Sequence, residues 1–402
     1  AGWIGNVRFQ PQDIYYYVSN PPAGAGNVFI NSPKDGAPAS FALVDQDFKM
    51  PSVWRSSFGA DYKIPNSVFT LTTDILYTKD VNSVFQYGAN RKESTARMTN
   101  QDRVYYPNVA SYQYNNKIGA NSATVLTNSD TKGTAFSATF GANMRTWKGL
   151  SGSVFYTYSE AKEISANAGS SASSAWQASP TVDSPNQQEL SISNFAIPHR
   201  IVANISYNIK NTTIGVYYSG SNQGRFSYYY SNDVNGDGIA NDLMYIPNAS
   251  EVMKFADIKQ GATTLFTAQQ QREAFDRFIA ENGLEEYRGQ ILPRNEFLLP
   301  WLNRVDVRIA QNLFTDMVQK GDKIAITLDV LNFGNLLNSD WGIQDNNVSS
   351  YGAAVLGRFG TLSPDPTFTM LRDGANLVKG PTRPASSRFT TWSAMLGFKY
   401  SF

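Results

Sequence analysis

The sequence predicts an all-β protein, a transmembrane antiparallel β-barrel wall of about ten strands, and three observations carry that prediction. Segments of about 9–14 residues alternate apolar and polar side chains. Tight turns and long links follow one another between those segments. No apolar run approaches the roughly 18 residues of a membrane-spanning helix. Alternation at period two gives a strand one apolar and one polar face. In an outer-membrane barrel the apolar face meets lipid and the other lines a wet lumen.

The elements follow in order. Residues 3–9 (WIGNVRF) read as a first strand. In 53–64, Trp54, Phe58, Ala60, Tyr62 and Ile64 share one side, and Arg55, Ser57, Asp61 and Lys63 the other. In 68–81, Phe69, Leu71, Ile75 and Tyr77 oppose Thr70, Thr72, Asp74 and Thr78. In 134–147, Phe136, Ala138, Phe140 and Met144 oppose Ser137, Thr139, Asn143 and Arg145. Val154, Tyr156 and Tyr158 alternate with Ser153, Thr157 and Ser159. Ile201, Ala203, Ile205, Tyr207 and Ile209 alternate with Arg200, Asn204, Ser206 and Asn208, and Ile214, Val216 and Tyr218 follow. Val305, Val307 and Ile309 alternate with Arg304, Asp306 and Arg308. Ile324, Ile326, Leu328 and Val330 face away from Thr327 and Asp329. The last segment sets Trp392, Ala394, Leu396, Phe398, Tyr400 and Phe402 against Ser393, Gly397, Lys399 and Ser401.

The short links, near residues 64–67, 147–150, 209–212 and 314–323, are rich in Gly, Pro and Asn, as tight hairpin turns require. The long links are 10–47, 81–133, 161–196, 222–303 and 334–388. Short links on one side and long ones on the other match periplasmic turns and extracellular loops. Aromatics at strand ends (Tyr62, Tyr77, Trp147, Tyr158, Tyr207, Trp392, Tyr400) match interfacial girdles. A soluble β-sandwich would leave the strand length, the loop asymmetry and the inward charges each in need of its own explanation. Within the loops, 267–282 has helical spacing, with Thr267 as N-cap and Gly283 as the stop. Residues 165–179 read as low-complexity and flexible.

The chain has 402 residues, of which 17% are charged, below the globular norm of about 25%. A net charge of +1 makes no case for nucleic acid, and the absence of cysteine excludes disulfides and thiolate chemistry. The opening AGWIGNVRF lacks a signal-peptide pattern, so a leader has been removed or the chain is an internal piece.

The most chemical segment is DVNGDGIAND (233–242). Asp233, Asn235 and Asp237 stand at positions 1, 3 and 5 of an EF-hand-like loop, with Gly238 at 6 and Asn241 at 9. Met244 stands where a bidentate Glu belongs, and Asp242 could replace it only along a different path. A structural Ca²⁺ and two consecutive tight turns are both open readings. Tyr228, Tyr229, Tyr230 and Trp176, with Tyr105, Tyr106 and Trp341, lie on predicted extracellular loops, where exposed aromatics can grip a ligand; loop packing is the plainer alternative. Arg55, Asp61, Asp74, Arg145, Arg304, Asp306, Arg308, Asp329 and Lys399 fall on the lumen side. His199, the sole histidine, shares the parity of Ile201, towards lipid or the rim. No nucleophile motif accompanies it, so no enzyme is predicted.

At DQDFKMPSVWRSSFGADYKIPN (45–66) and LPWLNRVDVRIAQNLF (299–314) the chain resembles TonB-dependent outer-membrane transporters of the Bacteroidetes type. Among these it is most similar to Oar-like receptors, which carry an N-terminal carboxypeptidase-regulatory-like domain. SNDVNGDGIANDLMYIP (231–247), LDVLNFGNLLN (328–338) and the terminal GFKYSF fit the same resemblance, which runs from about residue 40 to the end. It implies the C-terminal part of a barrel of about 22 strands. The plug domain and the TonB box would lie outside these residues. It further implies uptake of a nutrient or other ligand, with the lumen wall touching the plug and TonB acting through it. Membrane lipid, lipopolysaccharide and a surface lipoprotein are the other partners it suggests, although the sequence near the C-terminus departs from SusC-like glycan importers and so argues against a SusD-type lid. The terminal aromatic resembles the assembly signal of outer-membrane proteins, which places a native C-terminus in the periplasm. The rival reading is a structural or adhesive surface barrel that binds a partner protein through its loops. An upstream plug with a TonB box would decide for transport.

Overall fold

Alternating side chains produce strands here, and the strands run longer than those of ordinary globular sheets. The structure, a computed structural model, describes residues 2–4, 7–9, 41–115, 123–165, 169–315, 320, 322–348, 352–387 and 390–402. Nine long strands form its body: β1 (Ser52–Lys63), β2 (Phe69–Gly88), β3 (Thr134–Trp147), β4 (Leu150–Glu163), β5 (His199–Ile209), β6 (Thr212–Asn222), β7 (Trp301–Thr315), β8 (Lys323–Leu331) and β9 (Ser393–Ser401). Each pairs antiparallel with the next in chain order. This is the up-and-down wall of a transmembrane-barrel fold. Among the described residues β1 and β9 have one neighbour each in this sheet, so both of its outer edges are open.

The expectation of a tenth strand at residues 3–9 is corrected. Gly2–Ile4 and Val7–Phe9 pair only with each other. The segment therefore folds back on itself instead of making one crossing.

The turns carry the expected chemistry. Lys148 (φ 49°) and Gly149 (φ 85°) are both left-handed, the backbone of a two-residue type I′ hairpin. Asn66 (φ 55°) and Lys210 (φ 51°) provide the same kink at two further turns. Half of the link 314–323 lies outside the described residues, as does most of 10–47.

Among the described residues the apolar face of the sheet has no protein cover. Trp54, Phe58, Tyr62, Phe140, Trp147, Ile205, Ile209, Leu396 and Phe398 are all exposed, Phe398 at 74%. Of the described apolar side chains on the nine strands, only Phe85 and Ala138 are buried. No described helix is long and apolar enough to cross a membrane.

The protein's apolar core lies in the long links. Met98, Tyr105, Phe226, Tyr228, Tyr230, Met244, Phe275, Phe278, Leu292, Leu356 and Phe368 form one cluster drawn from 81–133, 222–303 and 334–388. β2 reaches into this assembly. Its end, Ser83–Gly88, leaves the barrel wall and pairs with Ala123–Ser129, which pairs parallel with Phe41–Val44. The predicted helix is present at Ala268–Glu281, capped reciprocally by Thr267 and Gln270. It buries Gln271, Phe275, Phe278 and Ile279, and Gly283 (φ 69°) follows its end. The segment read as flexible contains the helix Ala172–Gln177, capped by Ser171 and Ser174.

Candidate functional site

The acidic stretch 233–242 lies at the centre of the loop assembly. Its glycines allow the tight path: Gly236 and Gly238 both have φ 86°. Asp233 accepts the Gly236 and Gly238 amides at 2.6 and 2.8 Å. Asn235 Oδ1 accepts the Asp237 amide, and Asp237 Oδ1 the Ile239 amide at 2.8 Å. Asp242 Oδ2 accepts the Val234 amide at 2.7 Å. The short oxygens are therefore occupied in turning the chain, as the two-turn alternative requires.

The remaining carboxylate charge meets two arginines. Arg91 Nη2 bonds Asp237 Oδ2, and Arg91 Nη1 donates to the Asp237 carbonyl at 2.9 Å. Arg103 Nη1 lies 2.9 Å from Asp242 Oδ1, and Nη2 donates to the Leu243 carbonyl. Both arginine side chains are fully buried. Tyr106, Tyr112 and Trp176 surround the Arg91 guanidinium at 5.5, 5.3 and 5.6 Å from their ring centres, a cation–π cage. Arg103 lies over Tyr230 at 5.7 Å. Burial pushes the Asp242 carboxyl up to about 6 against the pull of Arg103, and burial raises Asp237 in the same direction. Burial also raises the phenols of Tyr106, Tyr228 and Tyr230, which stay neutral.

In the structure Asp233, Asn235, Asp237, Asn241 and Asp242 do not turn their oxygens on one point as a calcium centre requires. Ca²⁺ needs 6–8 oxygens turned on one point. Here the carboxylates point to separate guanidiniums and amides, and Asn241 donates to the Gln177 and Ser179 carbonyls. Among the described residues no group of three or more acidic or histidine side chains is placed to hold a metal.

The expectation of exposed, ligand-gripping aromatics is also corrected. Tyr228, Tyr229, Tyr230 and Trp176 are all buried, with Tyr230 fully so. Tyr228 packs edge-on against Phe278 and Phe297, and Tyr230 stacks on Phe368. Trp176 Nε1 donates to Asn186 Oδ1 at 2.7 Å. The long loops bury one another, so aromatics that a sequence assigns to loops end up in a core. Trp341, by contrast, remains exposed, as do Tyr114 and Phe195.

The lumen-side set falls on one sheet face. Arg55 Nε donates to Thr78 across the β1–β2 pair at 3.3 Å, and Thr72 donates to Asp61 at 2.7 Å. Asp74 stands opposite Gly59 on β1 and Thr139 on β3. Arg304 pairs with Asp306 at 3.2 Å and Arg308 with Asp329 at 3.5 Å. Arg145 donates to the Ser67 carbonyl at a turn, and Lys399 stands opposite Ala325. His199 lies on the other face, where Tyr156 Oη meets its Nδ1 at 2.7 Å and the two rings stack.

Arg91 and Arg103 escape sequence reasoning. Each meets its carboxylate about 140 residues away in sequence, and nothing local distinguishes them from surface arginines.

No protein-family model matches the chain, and no curated protein matches it. Among solved structures, the chain is similar to the outer-membrane transporter YddB from Escherichia coli, with 11% identity and a TM-score of 0.41. The match covers 90% of this chain and 34% of that one, so the chain spans about a third of that protein's length.

Proposed function

We propose that these residues form the C-terminal wall and surface loops of a TonB-dependent outer-membrane transporter. The observation that carries the reading is the two-faced sheet, with exposed Trp, Phe, Ile and Leu on one side and paired Arg, Asp and Thr on the other. Such a face is stable in hydrocarbon and unfavourable in water. Unpaired strand edges are not stable in lipid, so β1 and β9 both need neighbours. The first and ninth strands of an up-and-down sheet run the same way. Antiparallel closure therefore requires an odd number of further strands, which the rest of a longer polypeptide would supply. The paired charges of the lumen face would support a plug, and ligand would meet the assembly of loops 81–133, 161–196, 222–303 and 334–388. The turn side, with the C-terminus, would lie in the periplasm.

The test is the intact mass of the protein from its native outer membrane, combined with capture by the periplasmic domain of TonB. A longer polypeptide that is captured supports the proposal. A protein of this length that TonB ignores overturns it in favour of a structural or adhesive barrel.

A further inference from the structure

A cleft of about 460 Å³ opens beside the loop end of β7, lined by Trp301, Asn303, Asp340, Trp341, Gly342 and Asp345. We propose that it binds a pyranose ring, stacked between the Trp301 and Trp341 indoles. The inference does not rest on coupling to TonB.

The Trp301 indole is held in place, and the backbone around Trp341 is fixed while its indole stays exposed. Trp301 Nε1 donates to Asn303 Oδ1 at 2.9 Å, and the same oxygen accepts the Tyr218 hydroxyl at 2.7 Å. Gly220 leaves room for the Trp301 ring to lie on the sheet: a β-carbon there would meet that ring and the Tyr218 hydroxyl. On the other wall, Gly342 (φ 64°) follows Trp341, and buried Asn332 donates to the Gly342 carbonyl at 3.0 Å. Trp341 keeps 56% of its surface exposed. Gln223 fixes Asp345, accepting its amide at 2.8 Å and donating to its Oδ2 at 3.3 Å.

A pyranose offers a flat C–H face, which suits the negative face of an indole, and hydroxyl donors, which suit carboxylate oxygens. Two carboxylates in one cleft disfavour a phosphate. The volume lies within the range of small-ligand sites, about 300–1,000 Å³. Trp301, Asn303 and Val305 share the parity of Val307 and Ile309, so the cleft opens on the apolar side of the wall and not into the lumen. The sugar could reach it from a free oligosaccharide or from the carbohydrate head of an outer-leaflet glycolipid.

The experiment uses the intact native polypeptide in phosphatidylcholine nanodiscs, probed by saturation-transfer NMR with methyl β-D-glucopyranoside and with chitotriose. A second set of discs contains lipopolysaccharide. Saturation of free sugar protons assigns the free-glycan source; saturation confined to the head group assigns the lipid source. In either case Trp341→Ala should weaken binding about tenfold, the scale of one lost aromatic stack. Trp147→Ala, an exposed indole at the turn end, should leave it unchanged, with circular dichroism verifying the fold of both variants. No transfer to any sugar, or full binding by Trp341→Ala, overturns the proposal. Displacement of the sugar by octyl dimethylamine oxide as effectively as by octyl glucoside also overturns it, because the cleft would then be only apolar.

Discussion

The strand wall and the loop assembly treat the same residue types in opposite ways. Phe58 and Phe398 on the wall are 61% and 74% exposed, whereas Phe275 and Phe278 in the loops are at 2% and 1%. Charge is reversed as well. On the wall, Arg308 is 61% exposed beside Asp329, while Arg91 and Arg103 in the loops are sealed against Asp237 and Asp242. Each region is organised for a different solvent. The wall places its apolar side chains towards hydrocarbon and needs no core, and the loops stand in water and must make one.

The most disruptive way to break this contrast is Arg103→Met. It strands the Asp242 carboxylate in the loop core, at a cost of about 3–5 kcal/mol. Hydrogen exchange should show the loop amides losing protection while the strand ladder keeps its own. Next in size is a charge on each region's exposed surface. Ile205→Arg puts a cation on the apolar face and should cost about 2–4 kcal/mol in a bilayer. Val252→Arg, at an exposed loop site, should stay within about 0.5 kcal/mol. Urea titrations in lipid vesicles compare the two, and equal costs would mean that the wall does not face lipid.

A pH series sharpens the comparison further. The folded Asp242 carboxyl, at about 6, lies above its ordinary value and binds its proton first. Its contribution therefore favours the folded loops as pH falls from 7 through 6 towards 4, and is lost as pH rises again. Loop protection should rise over that interval, and the strands should not follow it. Arg308→Gln removes a half-exposed ion pair and should cost less than about 1 kcal/mol. The smallest effect is expected from chelation: EDTA should leave the loop melting point unchanged, because two guanidinium groups and the turn amides already engage the acidic oxygens.

The wall was legible because a strand with two solvents shows its period in the sequence. Ile201, Ala203, Ile205, Tyr207 and Ile209 needed no partner to be read, and the Lys148-Gly149 turn follows from local chemistry alone. The loop helix was legible for the same reason, through Thr267, its spacing and Gly283. The failures share a different cause. Tyr228, Tyr230 and Trp176 became core residues through contacts with distant segments, and no local pattern announces such contacts. The acidic stretch resembled a cation loop because short oxygens at alternate positions serve a metal and a pair of turns equally well. Only the arrival of Arg91 and Arg103 distinguishes them. The extra strand failed because seven residues hold either one crossing or one small hairpin.

The Arg91–Asp237 bond joins residues 146 positions apart. Between its two halves the polypeptide must lay down four crossings of the wall, β3 to β6. One buried ion pair therefore ties the loop that follows β2 to the loop that follows β6, across the four strands between them, and loosening it should unfasten both parts of the outer surface at once.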